Sequence, residues 1–226
     1  MKKIALSIIF IFICFASYGH IDHYTNYKKI EMEILRNNEL IGYNYYFFSK
    51  KGDVTLVTNQ FKFDVKFLGA IIFKVEGIGE ETYLKDQLIS FNSKTLQNKK
   101  EKFVKLTLNK ETNKFDIIGS SFTGEVSLEN IVGNWWSHKI LQASSQISPI
   151  SGSIKEQIVT FVGKEKILIN GDEYETDHFK LTSKDMSLPK DKRLNFDIWL
   201  DKKTSLIVKV TYQRMGNWEY RLKNYE

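Results

Sequence analysis

The chain has 226 residues, with 33 Lys and Arg against 27 Asp and Glu, and a formal net charge of +6 at neutral pH. This modest excess is spread along the chain, which argues against nucleic acid as a partner, since nucleic-acid-binding proteins concentrate basic residues in runs or patches. Two prolines and an aromatic content of 14% exclude an extensively disordered chain. The composition therefore predicts one packed globular domain.

The first nineteen residues have the composition of an export signal. Lys2-Lys3 precedes the apolar run Ile4–Phe15, and small residues follow up to Gly19. The run is short for a membrane span, and small residues before the cut suit signal peptidase, so we predict a signal peptide over 1–19. We expect a periplasmic protein whose mature chain, 20–226, forms a single antiparallel β domain without a transmembrane span.

Cleavage after Gly19 has two consequences for the mature chain. It removes the sole cysteine, Cys14, so the fold must be held by its core rather than by disulfides. It also makes His20 the new N-terminus, with His23 close behind, and nitrogen donors of this kind suit Cu(II). A flexible terminus without metal is the competing interpretation, and cleavage after Ala16 would remove the copper hypothesis. We expect no cofactor and no metal site.

Apolar and polar residues alternate with a period of two along most of the chain. Examples are the runs Ile30–Ile34, Phe61–Phe67, Ile71–Val75 and Val104–Leu108. Such alternation predicts strands with one buried and one exposed face. Turns rich in Asn, Asp and Gly, such as Asn170-Gly171, separate the runs and predict antiparallel neighbours. The fold class expected is mainly β, with a single strongly curved antiparallel meander sheet or an incomplete β-barrel.

Two segments interrupt the alternation. The apolar residues of Ser127–Gln142 have mixed spacing, which predicts one or two short helices near 127–142, with Ser127 able to cap the first. The serine-rich segment 143–153 and the segment 183–193, which contains Pro189, are predicted to be surface loops.

The segment Tyr43–Phe48 reads Tyr-Asn-Tyr-Tyr-Phe-Phe, so aromatic side chains fall on both faces of one strand. The second face must be covered by the protein's own elements, by a partner, or by a bound apolar molecule. The last interpretation predicts an apolar ligand site inside the curved sheet. Its candidate residues are Tyr45, Phe47, Phe73, Trp136, Trp199 and Trp218.

The C-terminal block has the most distinctive pattern. The aspartate-rich strand Phe196–Asp201 with its Trp is followed by the apolar strand Leu206–Tyr212, and then Gly216 precedes a last aromatic strand. Further matching motifs are Glu81-Thr82-Tyr83, Trp136 and Thr176–Phe179. From about Ile30 to Leu222 the chain resembles a family of uncharacterised bacterial exported β-rich proteins, a domain of unknown function, although Leu200 stands where that family is expected to have an aromatic residue.

This resemblance implies a fold similar to that of the periplasmic lipoprotein carriers, in which a curved antiparallel sheet wraps around short helices and leaves an apolar cavity. It implies no catalytic residue. The residues themselves agree, because Asp177 and His178 are strand neighbours that point to opposite faces and cannot form a dyad with each other. Gly119-Ser120-Ser121 also lacks the second glycine of a nucleophile turn.

We therefore predict a protein that is not an enzyme and that binds an apolar or amphipathic, lipid-like ligand. The alternative is a structural or interaction protein of the cell envelope, with an envelope protein as its partner and no small-molecule ligand.

Overall fold

The computed structural model describes residues 20–226, so the predicted signal segment lies outside the described residues. Within them the chain forms one short helix, fifteen strands and two 3-10 turns. In chain order these are α1 His20–Tyr24, β1 Lys29–Arg36, β2 Glu39–Lys51, β3 Val54–Phe67, β4 Ala70–Leu84, β5 Gln87–Gln97, β6 Lys100–Asn109, β7 Lys114–Gly119, β8 Thr123–Ser127, β9 Ile131–Val132, the 3-10 turn His138–Leu141, β10 Ser145–Ile147, β11 Ile154–Ile169, β12 Asp172–Ser183, the 3-10 turn Lys190–Lys192, β13 Asn195–Asp201, β14 Ile207–Gln213 and β15 Asn217–Tyr225.

All fifteen strands belong to one sheet, in the order β8-β7-β6-β5-β4-β3-β2-β1-β15-β14-β13-β12-β11-β10-β9. Neighbouring strands are antiparallel, except that β9 and β10 run parallel. Two meanders, β1 to β8 and β9 to β15, are therefore joined where the first strand pairs with the last. This arrangement confirms the predicted antiparallel meander.

The sheet is strongly curved but not closed. Its two edge strands are β8, which ends at Ser127, and β9, which begins at Ile131. The connection from Ser127 to Ile131 spans at most about 14 Å. The two edge strands therefore approach each other at that connection. The edges do not pair, so the sheet is an incomplete barrel, as the sequence predicts.

Buried side chains from both meanders meet on one face of this curved sheet. The main core includes Ile30, Met32, Tyr46, Leu106 and Leu222, each at most 2% exposed. A second cluster lies around Ile140, Leu181, Ile198, Ile207 and Val210, and a third around Ile34, Val65 and Trp218. The alternation of β1 is typical, since Ile30, Met32 and Ile34 are buried while Glu31 and Glu33 are only half-buried.

The segment 127–142 contains less helix than the sequence indicates. Its helical part is the 3-10 turn His138–Leu141, whose N-cap is Ser137, with Oγ accepting from the Lys139 amide at 3.3 Å. Ser127 instead ends β8, and its Oγ accepts from the Glu129 amide at 3.2 Å in a turn. The segment 183–193 is a loop with one 3-10 turn, whereas Ser145–Ile147, inside the other predicted loop, is the buried strand β10.

Residues 133–144 and helix α1, here called the plug, pack against the core face of the sheet. Trp136 and Ile140 are each 1% exposed, and Ile21 and Tyr24 of α1 are 1% and 0% exposed. The Ile21 amide donates to Asp86 Oδ1 at 2.7 Å. Helix α1 has only five residues, too few for a recognisable helical period, and the sequence did not predict it. No helix within residues 20–226 has the length and apolar character to cross a bilayer.

Candidate ligand site

The six aromatic residues predicted to line one ligand site lie in four separate places. Two of them, Tyr45 and Phe47, share one face of β2, and the Lys29 ammonium lies 4.8 Å and 5.4 Å from their ring centroids. Tyr43 stacks on Tyr45 with centroids 4.5 Å apart. Because these rings are half-buried among their own neighbours, the protein itself covers the second aromatic face of β2.

Phe73 and Trp218 lie together in the third core cluster. Both pack against Phe63, whose ring centroid is 6.1 Å from that of Phe73 and 5.3 Å from that of Trp218. Trp199 lies elsewhere, on β13, stacked on His178 with centroids 4.4 Å apart. These three predicted residues therefore belong to two different contacts, neither of which includes Tyr45 or Phe47.

The remaining predicted residue, Trp136, belongs to a buried polar centre that joins the plug to the sheet. Its Nε1 donates to Glu81 Oε1 at 3.0 Å, and Asn134 Nδ2 donates to the same oxygen at 3.0 Å. The Tyr83 hydroxyl donates to Glu81 Oε2. Burial raises the pKa of Glu81 to about 7, although these three hydrogen bonds favour the ionised form. With only 3% of Glu81 exposed, the carboxyl group links two elements and does not face solvent.

Two tyrosine hydroxyls fix the rest of the plug. The Tyr46 hydroxyl accepts from the Trp135 amide at 3.2 Å and from Asn44 Nδ2 at 2.8 Å. The Tyr24 hydroxyl lies 2.6 Å from His138 Nδ1 and accepts from the His138 amide at 2.9 Å. Burial raises the pKa of both phenols and lowers the pKa of His138, so all three groups are neutral at pH 7.

A small cavity of about 150 Å³ lies beside this polar centre. Its lining includes Tyr83 and Asn134, the apolar side chains of Leu88 and Phe115, and Lys139. At about 30 Å³ per molecule, roughly five waters would fill it. Ligand pockets usually have about 300–1,000 Å³, so this cavity is too small for a lipid.

A larger groove of about 630 Å³ crosses strands β2 to β6. Two rows of cross-strand neighbours, two residues apart on each strand, share one face of the sheet there. The first row contains Gln60, Ile78, Lys94 and Phe103, and the second contains Tyr43, Lys62, Glu76, Leu96 and Glu101. The volume is within the usual range for small-molecule sites.

The first row places a cation between two exposed apolar side chains. Lys94 is directly opposite Ile78 on one side and Phe103 on the other, and these two are 57% and 47% exposed. Among residues 20–226, Lys94 forms no ion pair, whereas Lys62 in the second row lies 3.6 Å from Glu76. An unpaired ammonium flanked by apolar surface is suited to a ligand with an acidic head and an apolar body.

The row between these two points to the opposite face and forms the floor of the groove. Its central residue is Gly77, where an added Cβ would lie 2.6 Å from Phe61 Cζ and 2.9 Å from Thr95 Oγ1. Glycine is therefore required for the Phe61 ring to lie across β4. Thr95 is 3% exposed, and its hydroxyl makes no hydrogen bond within the described chain. A buried hydroxyl without a partner costs about 1–3 kcal/mol.

His178 lies between two carboxylates on the other half of the sheet. Its Nδ1 is 2.7 Å from Glu165 Oε1 and its Nε2 is 3.1 Å from Asp197 Oδ1. Trp199 Nε1 donates to Glu165 Oε2 at 2.9 Å. As predicted, the neighbouring Asp177 is not a partner of this ring. Since both ring nitrogens face carboxylates, and the described residues bring no hydroxyl or thiol to them, the geometry is that of a hydrogen-bonded cluster without a nucleophile.

No three His, Cys, Asp or Glu side chains within residues 20–226 converge as a metal site. His23 Nε2 lies 2.8 Å from the Thr204 carbonyl oxygen, so one of the two predicted copper donors already contacts the protein. The other, the side chain of His20, lies outside the described residues. The copper hypothesis therefore stays a prediction.

Residues 32–223 match the family described as Domain of unknown function (DUF6134). The chain belongs to this family. The match extends from β1 to β15, and it confirms the resemblance that the C-terminal motifs indicate. No curated protein matches the chain.

Among solved structures, this DUF6134 chain is similar to the crystal structure of a beta-barrel-like protein of Domain of Unknown Function DUF1849 from Brucella abortus. The TM-score is 0.57 at 10% sequence identity, and the likeness covers 88% of this chain and 95% of that chain. At this identity the likeness shows the fold alone.

Sequence reasoning missed both the Glu81 centre and the groove of this DUF6134 chain. Glu81 occupies a core-facing position because it pairs with Val57 and Phe91, and this register is not evident from the sequence. Its partners Asn134 and Trp136 are 53 and 55 residues away in the chain. No local pattern predicts contacts over that separation. The groove depends on the register of five strands, which alternation alone does not fix.

Proposed function

We propose that this protein is a non-enzymatic binding protein of the periplasm that takes an amphipathic anion, such as a fatty acid or a lysophospholipid, in the groove across β2 to β6. The observation that carries the proposal is the unpaired Lys94 ammonium between the exposed side chains of Ile78 and Phe103. The acidic head of the ligand would pair with Lys94, and its hydrocarbon would cover the two apolar side chains. This site replaces the predicted interior site, because the plug occupies the core face and the six predicted aromatic residues are dispersed.

The energetics are compatible with weak, reversible binding. Covering about ten methylenes at roughly 0.8 kcal/mol each gives near 8 kcal/mol before the ligand's ordering cost is subtracted. The resulting affinity is micromolar at best. A carrier that must release its ligand needs no tighter binding.

The proposal that the protein is not an enzyme is supported by where its unusual titratable groups lie. Glu81 is the carboxyl group with the raised pKa, and it is enclosed by the plug, away from the groove. His178 is held by Glu165 and Asp197 on the other half of the sheet. Neither group faces the groove, where an acid or a base acting on a bound ligand would have to lie.

The proposed periplasmic location is supported by Lys2-Lys3, the apolar run that follows and the small residues up to Gly19. Fractionation of cells and N-terminal sequencing test it. We expect the protein in the periplasmic fraction with a chain that starts at His20. A chain that keeps Met1 and fractionates with the cytosol would contradict the location.

Ligand binding is tested by titrating dodecanoate and a lysophospholipid into the protein and measuring heat and amide chemical shifts. We expect shifts confined to β2 to β6, and affinity reduced at least about fivefold by Phe103→Ser or by Lys94→Gln. Phe161→Ser and Lys164→Gln are the matched controls, since Phe161 is 52% exposed on β11 and Lys164 is exposed on the same strand. These controls should bind like the unaltered protein.

Native mass spectrometry of the protein purified from its own envelope gives an independent result, because a retained lipid appears as added mass. The proposal fails if neither ligand binds and no lipid copurifies. It also fails if the control variants weaken binding as much as Phe103→Ser does.

A further inference from the structure

The tip of the β3–β4 hairpin exposes apolar side chains on both of its faces. Phe67 is 63% exposed, Leu68 90%, Ile71 54% and Ile72 56%. Lys66 pairs with Ile71 while Val65 pairs with Phe73, so Ile72 is the extra residue of a β-bulge. Apolar residues on two sides of a hairpin cannot all be covered by one flat partner surface. A medium that surrounds the tip would cover all of them at once.

The turn itself contains a residue that the fold does not explain. Leu68 and Gly69 have φ angles of +49° and +80°, a left-handed conformation that is costly for leucine and acceptable for Gly or Asn. At comparable turns this chain has Asn37-Asn38 and Asn170-Gly171. Leu68 gains no burial to offset the backbone conformation, since it is almost fully exposed. Its side chain therefore serves neither the turn nor the core.

A second turn at the same end of the sheet repeats this feature. Met215 precedes Gly216 at the β14–β15 turn, has a φ of +51° and is 89% exposed. The Asn37 amide donates to the Asn217 carbonyl, which places this turn beside the β1–β2 turn, on the same end as the β3–β4 turn. At the opposite end, the turn residues with positive φ are glycine or polar: Gly52, Lys85, Asn113, Asn170, Gly171 and Ser205.

Basic residues surround the exposed tip. Lys66 and Lys74 flank its apolar run, and Lys99-Lys100 lies at the β5–β6 turn, on the same end. The nearby acids are Glu76, which pairs with Lys62 and Lys74 at 3.6 Å and 3.4 Å, and Asp64, which lies opposite Lys74. Apolar side chains bordered by lysine are suited to the interface of a membrane with anionic lipids, where hydrocarbon meets negative headgroups.

We propose that this end of the sheet docks on a lipid bilayer containing anionic lipids, with the tip Phe67–Ile72 inserted at the boundary between headgroups and acyl chains. A bilayer is favoured over a protein partner because it surrounds an inserted hairpin on every side. The docking is separate from the groove, whose exposed apolar residues Ile78 and Phe103 lie away from the tip.

The test is cosedimentation of the protein with phosphatidylcholine vesicles, with and without about 30% phosphatidylglycerol. We expect binding to the anionic vesicles, weakened by salt, and a loss of at least about tenfold in the variant Leu68→Asn. This substitution suits the left-handed turn, so the variant should melt no lower than the unaltered protein. The matched control is Leu168→Asn, which removes a leucine that is 73% exposed beside the turn at the opposite end.

The proposal is overturned if Leu168→Asn lowers vesicle binding as much as Leu68→Asn does, since binding would then be nonspecific. It is also overturned if the protein binds neither kind of vesicle and instead forms dimers in sedimentation equilibrium that Leu68→Asn abolishes. A second copy of the chain would then cover the tip. Titration of Leu68→Asn with dodecanoate separates this proposal from the groove, since the variant should bind the fatty acid normally.

Discussion

Glu81 is a carboxyl group that is buried in the core, where its ionised form is disfavoured. Burial is the main cause of its raised pKa, and the donors Trp136, Asn134 and Tyr83 offset only part of that effect. A substitution that removes the charge but keeps the hydrogen bonds measures the free-energy cost of burying the ionised group. The Glu81→Gln variant does so, because an amide oxygen still accepts from Trp136 and Asn134 while the amide nitrogen donates to the Tyr83 hydroxyl.

The predicted consequence is a loss of stability on raising the pH. The pKa of Glu81 is about 7 in the folded protein against an ordinary value of 4.5, so the unfolded chain releases its proton first as the pH rises. The stabilisation is complete below about pH 4.5 and is lost by roughly 3 kcal/mol as the pH passes through about 7. Urea unfolding between these values should show this slope in the unaltered protein but not in Glu81→Gln. Glu80→Gln, at an exposed position, should keep it, and an identical slope in both variants would contradict the assignment.

Thr95 has a buried hydroxyl with no hydrogen-bond partner in the described chain. Such a group lowers the stability of the folded protein. Valine has nearly the same shape and lacks the oxygen, so Thr95→Val should raise the free energy of unfolding by about 1 kcal/mol. Thr160→Val, at an exposed position on β11, is the control and should change it by less than about 0.5 kcal/mol. A clear destabilisation by Thr95→Val would mean that the hydroxyl has a partner, such as a bound water.

At the scale of the element, β3 shows that core-facing and outward-facing residues of one strand contribute differently to stability. Phe63 packs its ring against Phe73 and Trp218, whereas Lys62 points to the other face and pairs with Glu76 across 3.6 Å. Phe63→Ala should lower the free energy of unfolding by about 3 kcal/mol, and Lys62→Ala should change it by less than about 0.5 kcal/mol. Urea unfolding distinguishes them. Equal effects would mean that the strand register is wrong.

The same elements show how much the sequence could predict. Alternation identified strands such as β1 and β3, and Asn170-Gly171 marked a hairpin turn, because side-chain period and positive φ are local properties. Alternation did not predict the plug. Its helix α1 has only five residues, too few to show a period, and the plug is held by contacts such as Trp136 to Glu81, across 55 residues. For the same reason, the sequence could not show whether the six candidate aromatic residues share one site. Aromatic residues were identified one by one, but register decides which of them meet.

At the scale of the whole molecule, the first and last of the described strands pair in the middle of the sheet. The last strand, β15, pairs with β1 on one side and β14 on the other, and the Lys29 amide donates to the Glu226 carbonyl at 3.0 Å. A chain truncated after Gln213 should therefore fail to unfold cooperatively in a thermal melt followed by circular dichroism, because β1 and β14 each lose one of their two partner strands. Extension beyond Glu226 by a flexible polar tail should leave the melt unchanged. A truncated chain that melts like the untruncated chain would contradict this role of β15.

This topology has a consequence for the order in which the strands are synthesised and paired. Strand β15, Asn217–Tyr225, follows every other described strand in the chain, so a ribosome synthesises this strand from the middle of the sheet after the other fourteen. Until those nine residues emerge, β1 and β14 are two unpaired edges, and each can capture a strand from another chain. The nascent polypeptide therefore exposes two additional sheet edges to its copies until β15 has emerged. A stop codon before Asn217 would produce a chain whose sheet lacks β15, one of the strands at its middle.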